Sequence, residues 1–112
     1  MVSNPKEFST WAERSTFSYD GSVEIGTRIY FGESGEVEIS KQQYKSLLEE
    51  FTGMEVNIGT SRDKASEESL GYWLQHNVTP TAIASYVGRI LIVEGYAEKG
   101  IKHMIHFETI TK

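Results

Sequence analysis

The sequence predicts an α+β protein: an N-terminal three-stranded antiparallel meander, then a helix-rich half that closes in a β-hairpin. Three observations carry that expectation. Apolar and polar residues alternate through residues 15–39, the period of a half-buried strand. Apolar residues recur at helical spacing in 41–51, 66–76 and 80–94, and alternation returns in 96–107. One domain is expected over residues 1–112, with 1–40 as the β-meander extension and 41–112 as the helical unit.

Taken in order, residues 1–8 read as a loose start, with Phe8 and Trp11 as an apolar anchor in a short helical turn. Phe17 and Tyr19 lead to Asp20-Gly21, a hairpin signal because both residues tolerate the positive φ of a type I′ turn. Val23, Ile25, Thr27, Ile29 and Phe31 then share one face, and a second turn at 32–35 leads to Val37 and Ile39. Ser40 followed by Gln43 forms a capping-box pattern ahead of Tyr44, Leu47, Leu48 and Phe51, so a helix is predicted over 41–51, ended by Gly53. Met54, Val56 and Ile58 alternate in a short strand, and 59–65 is a polar loop.

Ser66 is the expected cap of a second helix through His76 that carries Leu70, Trp73 and Leu74. The third helix is expected from Pro80, with Thr79 as N-cap, Pro80 at N1 and Gly95 at the C′ position. Its apolar stripe is Ile83, Val87, Ile90 and Leu91. The closing hairpin turns at Lys99-Gly100 and places Ile101, Ile105 and Phe107 on one face.

Composition narrows the chemistry. With no cysteine, disulfides, thiol nucleophiles and cysteine-based zinc sites are excluded. The N-terminus has neither a basic start nor an apolar core, and the run Ile90 to Val93 is far below the roughly 20 residues needed to span a bilayer. A cytoplasmic location without membrane contact is therefore expected. The net charge of −5 is uneven: residues 1–40 hold three basic and seven acidic side chains, while residues 41–112 hold eight and nine. An acidic chain argues against nucleic acid in general, because phosphate contacts dominate non-specific affinity, although the local field on one face is what counts.

From residue 41 onward the order is helix, strand, helix, turn, helix, strand, turn, strand. The stretches SLGYWLQHNVTPT, AIASYVGRILIVE and GYAEKGIKHMIHF resemble the core of the winged helix-turn-helix superfamily. Leu91-Ile92-Val93-Glu94-Gly95-Tyr96 matches the passage by which such domains leave the recognition helix for the first wing strand. The resemblance covers about two-thirds of the chain and rests on the order of elements. It implies a third helix that enters a major groove, double-stranded DNA as partner, a role in transcription regulation and a homodimer. The chain departs from the pattern in its short wing at Lys99-Gly100 and in the added meander of 15–39.

At 100° per residue, the side of the third helix opposite its apolar stripe carries Thr81, Ser85, Gly88 and Ile92, flanked by Ala84 and Arg89. The DNA reading therefore assigns contacts to Thr79, Thr81, Ser85, Arg89, Lys99 and Lys102, with Lys41 and Lys45 as further phosphate contacts. The competing reading takes Ala84, Gly88 and Ile92 as a shallow apolar strip facing a protein partner or a second copy, without nucleic acid. The bland account is a solvated Thr81 and Ser85, an Arg89 stem covering apolar surface, and a Gly88 that marks a close backbone approach.

No catalytic signature is present, and the reading is non-enzymatic. His103 and His106 are three apart on a strand and point to opposite faces, so neither a metal nor another cofactor is expected. GYAEKGIK lacks the Lys-Ser/Thr pair of a phosphate loop, and there is no G-x-S-x-G elbow. Glu49-Glu50 and Glu67-Glu68 diverge as neighbours on a helix, and Arg62-Asp63 in the polar loop has no nucleophile or base beside it. A third reading places a small-molecule pocket between meander and helices, lined by Tyr44, Trp73 and Tyr86, which are more simply core.

Overall fold

A computed structural model of the chain describes residues 6–11, 13, 15–59, 69–101 and 103–109. The fold is mixed α+β. Four antiparallel strands lie side by side in chain order: β1 (Lys6–Ser9), β2 (Thr16–Ser22), β3 (Gly26–Phe31) and β4 (Gly35–Ser40). Among the described residues there are three helices, α1 (Lys41–Phe51), α2 (Leu70–Asn77) and α3 (Ala84–Val93). A second, three-stranded sheet combines β5 (Glu55–Asn57), β6 (Ala97–Lys99) and β7 (Met104–Phe107) in the order β5-β7-β6.

The first sheet has one strand more than the alternation predicts. Phe8 sits directly opposite Phe17, and its ring packs with those of Phe17 and Tyr19, so the segment expected to be loose gains a partner and pairs as β1. Phe8, Phe17, Tyr19, Thr27, Ile29, Phe31, Val37 and Ile39 turn toward the interior, while Glu7, Asp20, Arg28, Glu36 and Glu38 are exposed. A buried polar pair crosses this interior: the hydroxyls of Thr27 and Tyr44 lie 2.7 Å apart, joining β3 to α1.

Asp20-Gly21 is not the turn. Both residues continue β2, with Gly21 opposite Thr27, and the chain reverses at residues 23–25. Gly21 does adopt a positive φ of 88°, where a side chain would collide with the Gly26 carbonyl; the glycine serves close strand approach rather than reversal. Extending β2 carries Val23 into the core, which outweighs the local turn preference, and leaves Ile25 at the tip, 72% exposed instead of inward.

Local signals decide α1. Gln43 N–H donates to Ser40 Oγ (3.1 Å) and Ser40 N–H donates to Gln43 Oε1 (2.8 Å), the reciprocal capping box. Tyr44, Leu47 and Phe51 are buried, and Gly53 follows with φ 70°. The Gln43 amide also donates to the Asn77 carbonyl (3.1 Å), fastening the end of α2 to the start of α1.

For α2 the expected cap, Ser66, lies outside the described residues, as do Arg62-Asp63 and Glu67-Glu68; Ser69 caps the helix through Tyr72 N–H (3.0 Å). The third helix starts later than Pro80. Thr79 N–H still donates to the Leu74 carbonyl at the end of α2, Thr79 Oγ1 accepts from Thr81 N–H (3.4 Å), and residues 80–83 form a connector that delivers Ile83 to the core as N-cap of α3. Thr79 and Pro80 are thus the stop of one helix and not the start of the next. In the closing hairpin the reversal falls between Lys99 and Met104, held by Gly100 N–H to the Met104 carbonyl. Ile101 therefore falls in the turn, 77% exposed, while Ile105 and Phe107 are buried as expected. Among the described residues no helix is long and apolar enough to cross a membrane.

The junction of β5 and α2 is backbone against backbone. A Cβ on Gly71 would overlap the carbonyl of Gly59, whose neighbour Ile58 accepts the Gly71 N–H at 3.0 Å. Gly71→Ala is expected to lower the unfolding free energy in urea by about 1–3 kcal/mol, as overpacking does, whereas Ser40→Ala is expected to lose about 1 kcal/mol through its cap.

Candidate functional site

The surface on which both sequence-based readings depend is the outer side of α3. Its inner stripe is as expected, with Ile83, Val87, Ile90 and Leu91 all buried. The opposite side is not open. Ala84 is 1% exposed, Gly88 is buried, and Ile92 is half-buried and packed on the core. Of the apolar strip expected to face a partner, Ala84 and Gly88 are covered by the chain itself, and Ile92 is covered in part.

The cover is the loop that follows β1. Trp11 N–H donates to the Ser85 carbonyl (3.0 Å), and the Trp11 indole lies over α3 at Gly88. A Cβ at Gly88 would come within 3.0 Å of Trp11 Cε3 and 2.6 Å of Ile58 Cδ1, so the missing side chain is what admits both groups. Lys99 closes the loop from above: its Nζ donates to the Trp11 carbonyl (2.8 Å), sits 5.1 Å from the indole centroid and lies 4.0 Å from the Glu13 carboxylate. The loop also holds its own turn through Thr10 N–H to Ser15 O and Glu13 N–H to Thr10 O, both 2.9 Å.

The residues assigned to DNA are accordingly scattered. Thr79 and Thr81 lie in the α2–α3 connector, Thr81 exposed; Ser85 is half-buried beneath the loop; Lys99 is engaged with Trp11; Lys102 lies outside the described residues. Arg89 is half-buried, and its Nε is shut off from solvent without a hydrogen-bond partner. Lys41 and Lys45 are exposed on α1, beside a hollow of about 290 Å³ also lined by Val23, Glu24, Leu48, Glu49 and Tyr96.

Glu94 is the residue that sequence reasoning missed. A carboxylate at a helix C-terminus faces the negative end of the helix dipole, so its presence hints at a tertiary partner. Two are found: Tyr19 O–H donates to Oε2 (2.7 Å) and Val23 N–H donates to Oε1 (2.9 Å). These bonds tie the β2–β3 hairpin to the end of α3, as Trp11 ties the β1–β2 loop to its first half. Burial, and then the hydrogen bond to Glu94, push the Tyr19 hydroxyl pKa well above its ordinary value of 10.0. Burial does the same to Tyr44, against the opposing effect of its bond to Thr27.

Outside this junction the polar chemistry is dispersed. His106 Nδ1 lies 3.7 Å from Glu55, His103 is exposed, and His76 is bonded to the Tyr72 carbonyl and stacked on its ring at 4.1 Å. Among the described residues no group of three His, Asp or Glu side chains is placed to hold a metal ion. Tyr44, Trp73 and Tyr86 do not share a pocket: Tyr44 is fully buried, Trp73 borders a hollow with Phe51, Met54 and Tyr72, and Tyr86 stacks on Phe31 at 4.8 Å beside another. The exposed face of the first sheet is acidic. Arg28 is paired with Glu38 and Glu36, Tyr30 donates to Asp20 (3.0 Å), and Glu7 lies on the same face.

Trp11→Ala is expected to lower stability by about 3–5 kcal/mol, read from urea melts, because it opens a cavity over Gly88. Alkaline pH gives a second check. A tyrosine whose pKa is raised by folding contributes stability that is complete below 10.0 and is lost as pH climbs above that value. The urea midpoint is expected to hold to about pH 9 and then fall, less steeply in Tyr19→Phe. Compared with protein-family models, with curated proteins and with solved structures, the chain matches none of them.

Proposed function

We propose that the chain is a non-enzymatic, cytoplasmic protein-interaction module, built on a winged-helix-like unit that has given up the nucleic-acid face of its third helix. The likening to winged helices is supported by the order helix, strand, helix, helix, strand, strand over α1 to β7 and by the β5-β7-β6 sheet. The observation that carries the functional reading is Trp11 lying on α3 at Gly88, with its N–H on Ser85 and its carbonyl held by Lys99. A helix reads a major groove with side chains that project freely from its outer side, and here Ala84 and Gly88 on that side are buried, with Ser85, Arg89 and Ile92 half-buried. Charge supports the same reading. The two most useful cations of that region, Arg89 and Lys99, are half-buried or engaged, and the open sheet face carries Glu7, Asp20, Glu36 and Glu38 against Arg28. The apolar side chains left in water, Ile25 and Ile101 at hairpin tips with Met54 and Val93, suit contact with protein better than contact with phosphate.

Fluorescence anisotropy with a labelled mixed-sequence duplex tests this. At about 20 mM salt, where screening is weak, no saturable signal is expected from the native chain. Binding whose log K falls against log salt with a slope of about −3 to −4 would restore the DNA reading, since that slope corresponds to about four phosphate contacts.

A further inference from the structure

We propose that the cleft between the end of α3 and β6 binds a free carboxylate, the C-terminal carboxylate of a peptide with an apolar last residue, with Arg89 as its counter-ion. The inference rests on the interaction-module reading and supplies its contact point. The cleft has a volume of about 430 Å³ and is lined by Arg89, Ile92, Gly95, Ala97, Glu98, Lys99 and Glu108. That space is in the range of small-ligand sites and takes a residue or two, not a helix.

Arg89 is the reason to expect an occupant. Its Nε is the one buried side-chain nitrogen or oxygen among the described residues that lacks a hydrogen-bond partner, and it belongs to a cation. A guanidinium N–H shut away from water without an acceptor is unfavourable, and a small swing into the cleft and onto a bound anion would relieve it. The guanidinium fork matches a planar carboxylate with two parallel bonds.

The surrounding charge selects the kind of anion. Arg89 and Lys99 bring two positive charges, Glu98 and Glu108 two negative ones, and the Lys99 ammonium is already bonded to the Trp11 carbonyl. A singly charged carboxylate is accommodated by that balance, whereas a phosphate near −2 meets two carboxylates with, among the described lining residues, Arg89 alone not already engaged. The walls set the rest. Ile92 is half-buried and Ala97 buried, an apolar lining beside the cation, and Gly95 leaves its side of the cleft open because no atom lies within 4 Å of where its Cβ would be. A chain terminus with an apolar side chain presents its carboxylate to Arg89 and its hydrocarbon to Ile92 in one pose.

The Nε–Hε signal of Arg89 in a proton–nitrogen correlation spectrum of the full chain reads the site directly. The probes are an acetylated Gly-Ala-Leu tripeptide with a free carboxylate, the same tripeptide as its C-terminal amide, and inorganic phosphate. The acid is expected to shift the Arg89 signal saturably, with the amide and phosphate each at least about tenfold weaker, the loss of one charge-assisted contact. Arg89→Lys, which keeps the charge but not the fork, is expected to weaken the acid by a similar factor while its thermal melt shows that the fold persists. An unmoved Arg89 signal, equal response to acid and amide, or tighter binding of phosphate would each overturn the proposal. Absence of peptide binding together with absence of duplex binding would remove this site while leaving the module reading in place.

Discussion

Gly88 has no side chain, and into that gap fit both the Trp11 indole and the Ile58 side chain. Three segments distant in sequence meet there: the loop after β1, the chain leaving β5, and the middle of α3. A buried tryptophan removes some 150–250 Å² from water, about 4–6 kcal/mol at 25 cal/mol per Å² and an upper bound because the unfolded chain is partly collapsed. That is comparable with the net stability of a small domain. The contact therefore does more than decorate a helix. It decides that the first sheet and the helical half share one interior and that Ala84 and Gly88 of α3 belong to it.

The second junction complements the first. Glu94 is placed where the helix dipole disfavours a carboxylate, and the Tyr19 hydroxyl and the Val23 amide compensate by donating to both its oxygens. With Trp11 over the first half of α3 and Glu94 at its end, the four-stranded sheet holds the helix at two points. Lys99 reinforces the arrangement from the other sheet: its ammonium reaches the Trp11 carbonyl and ring and so serves to lock a loop. The proposed function rests on this use of α3. What remains open to solvent is the rim: the cleft at the end of the helix, the acidic sheet face and the two hairpin tips.

Several features were legible in the residues. The capping box of Ser40 and Gln43, the buried stripe of α1, the turn at residues 32–34, the inner stripe of α3 and the glycine after it all appear where periodicity and cap chemistry put them. The remainder was not legible, for identifiable reasons. Asp20-Gly21 has the chemistry of a turn but is kept in β2 because the strand must continue to bury Val23 and reach Glu94. Thr79-Pro80 has the chemistry of a helix start, yet Thr79 is still bonded to α2. At the candidate site, Arg89 and Lys99 were visible as cations, but their surroundings were not: Ala84, Gly88 and Ile92 read equally well as an exposed strip or as a covered one.

Residue order by itself determined the strand and helix periods, the cap of α1 and the absence of thiol chemistry, because each depends on neighbours within a few positions or on composition alone. Only the tertiary structure decided which side of α3 meets water, since that is settled by pairs as far apart as Tyr19 with Glu94, 75 residues, and Trp11 with Lys99, 88 residues. A helical wheel assigns a residue to a face; whether another part of the chain packs on that face depends on shape and on buried area, and neither is a local property.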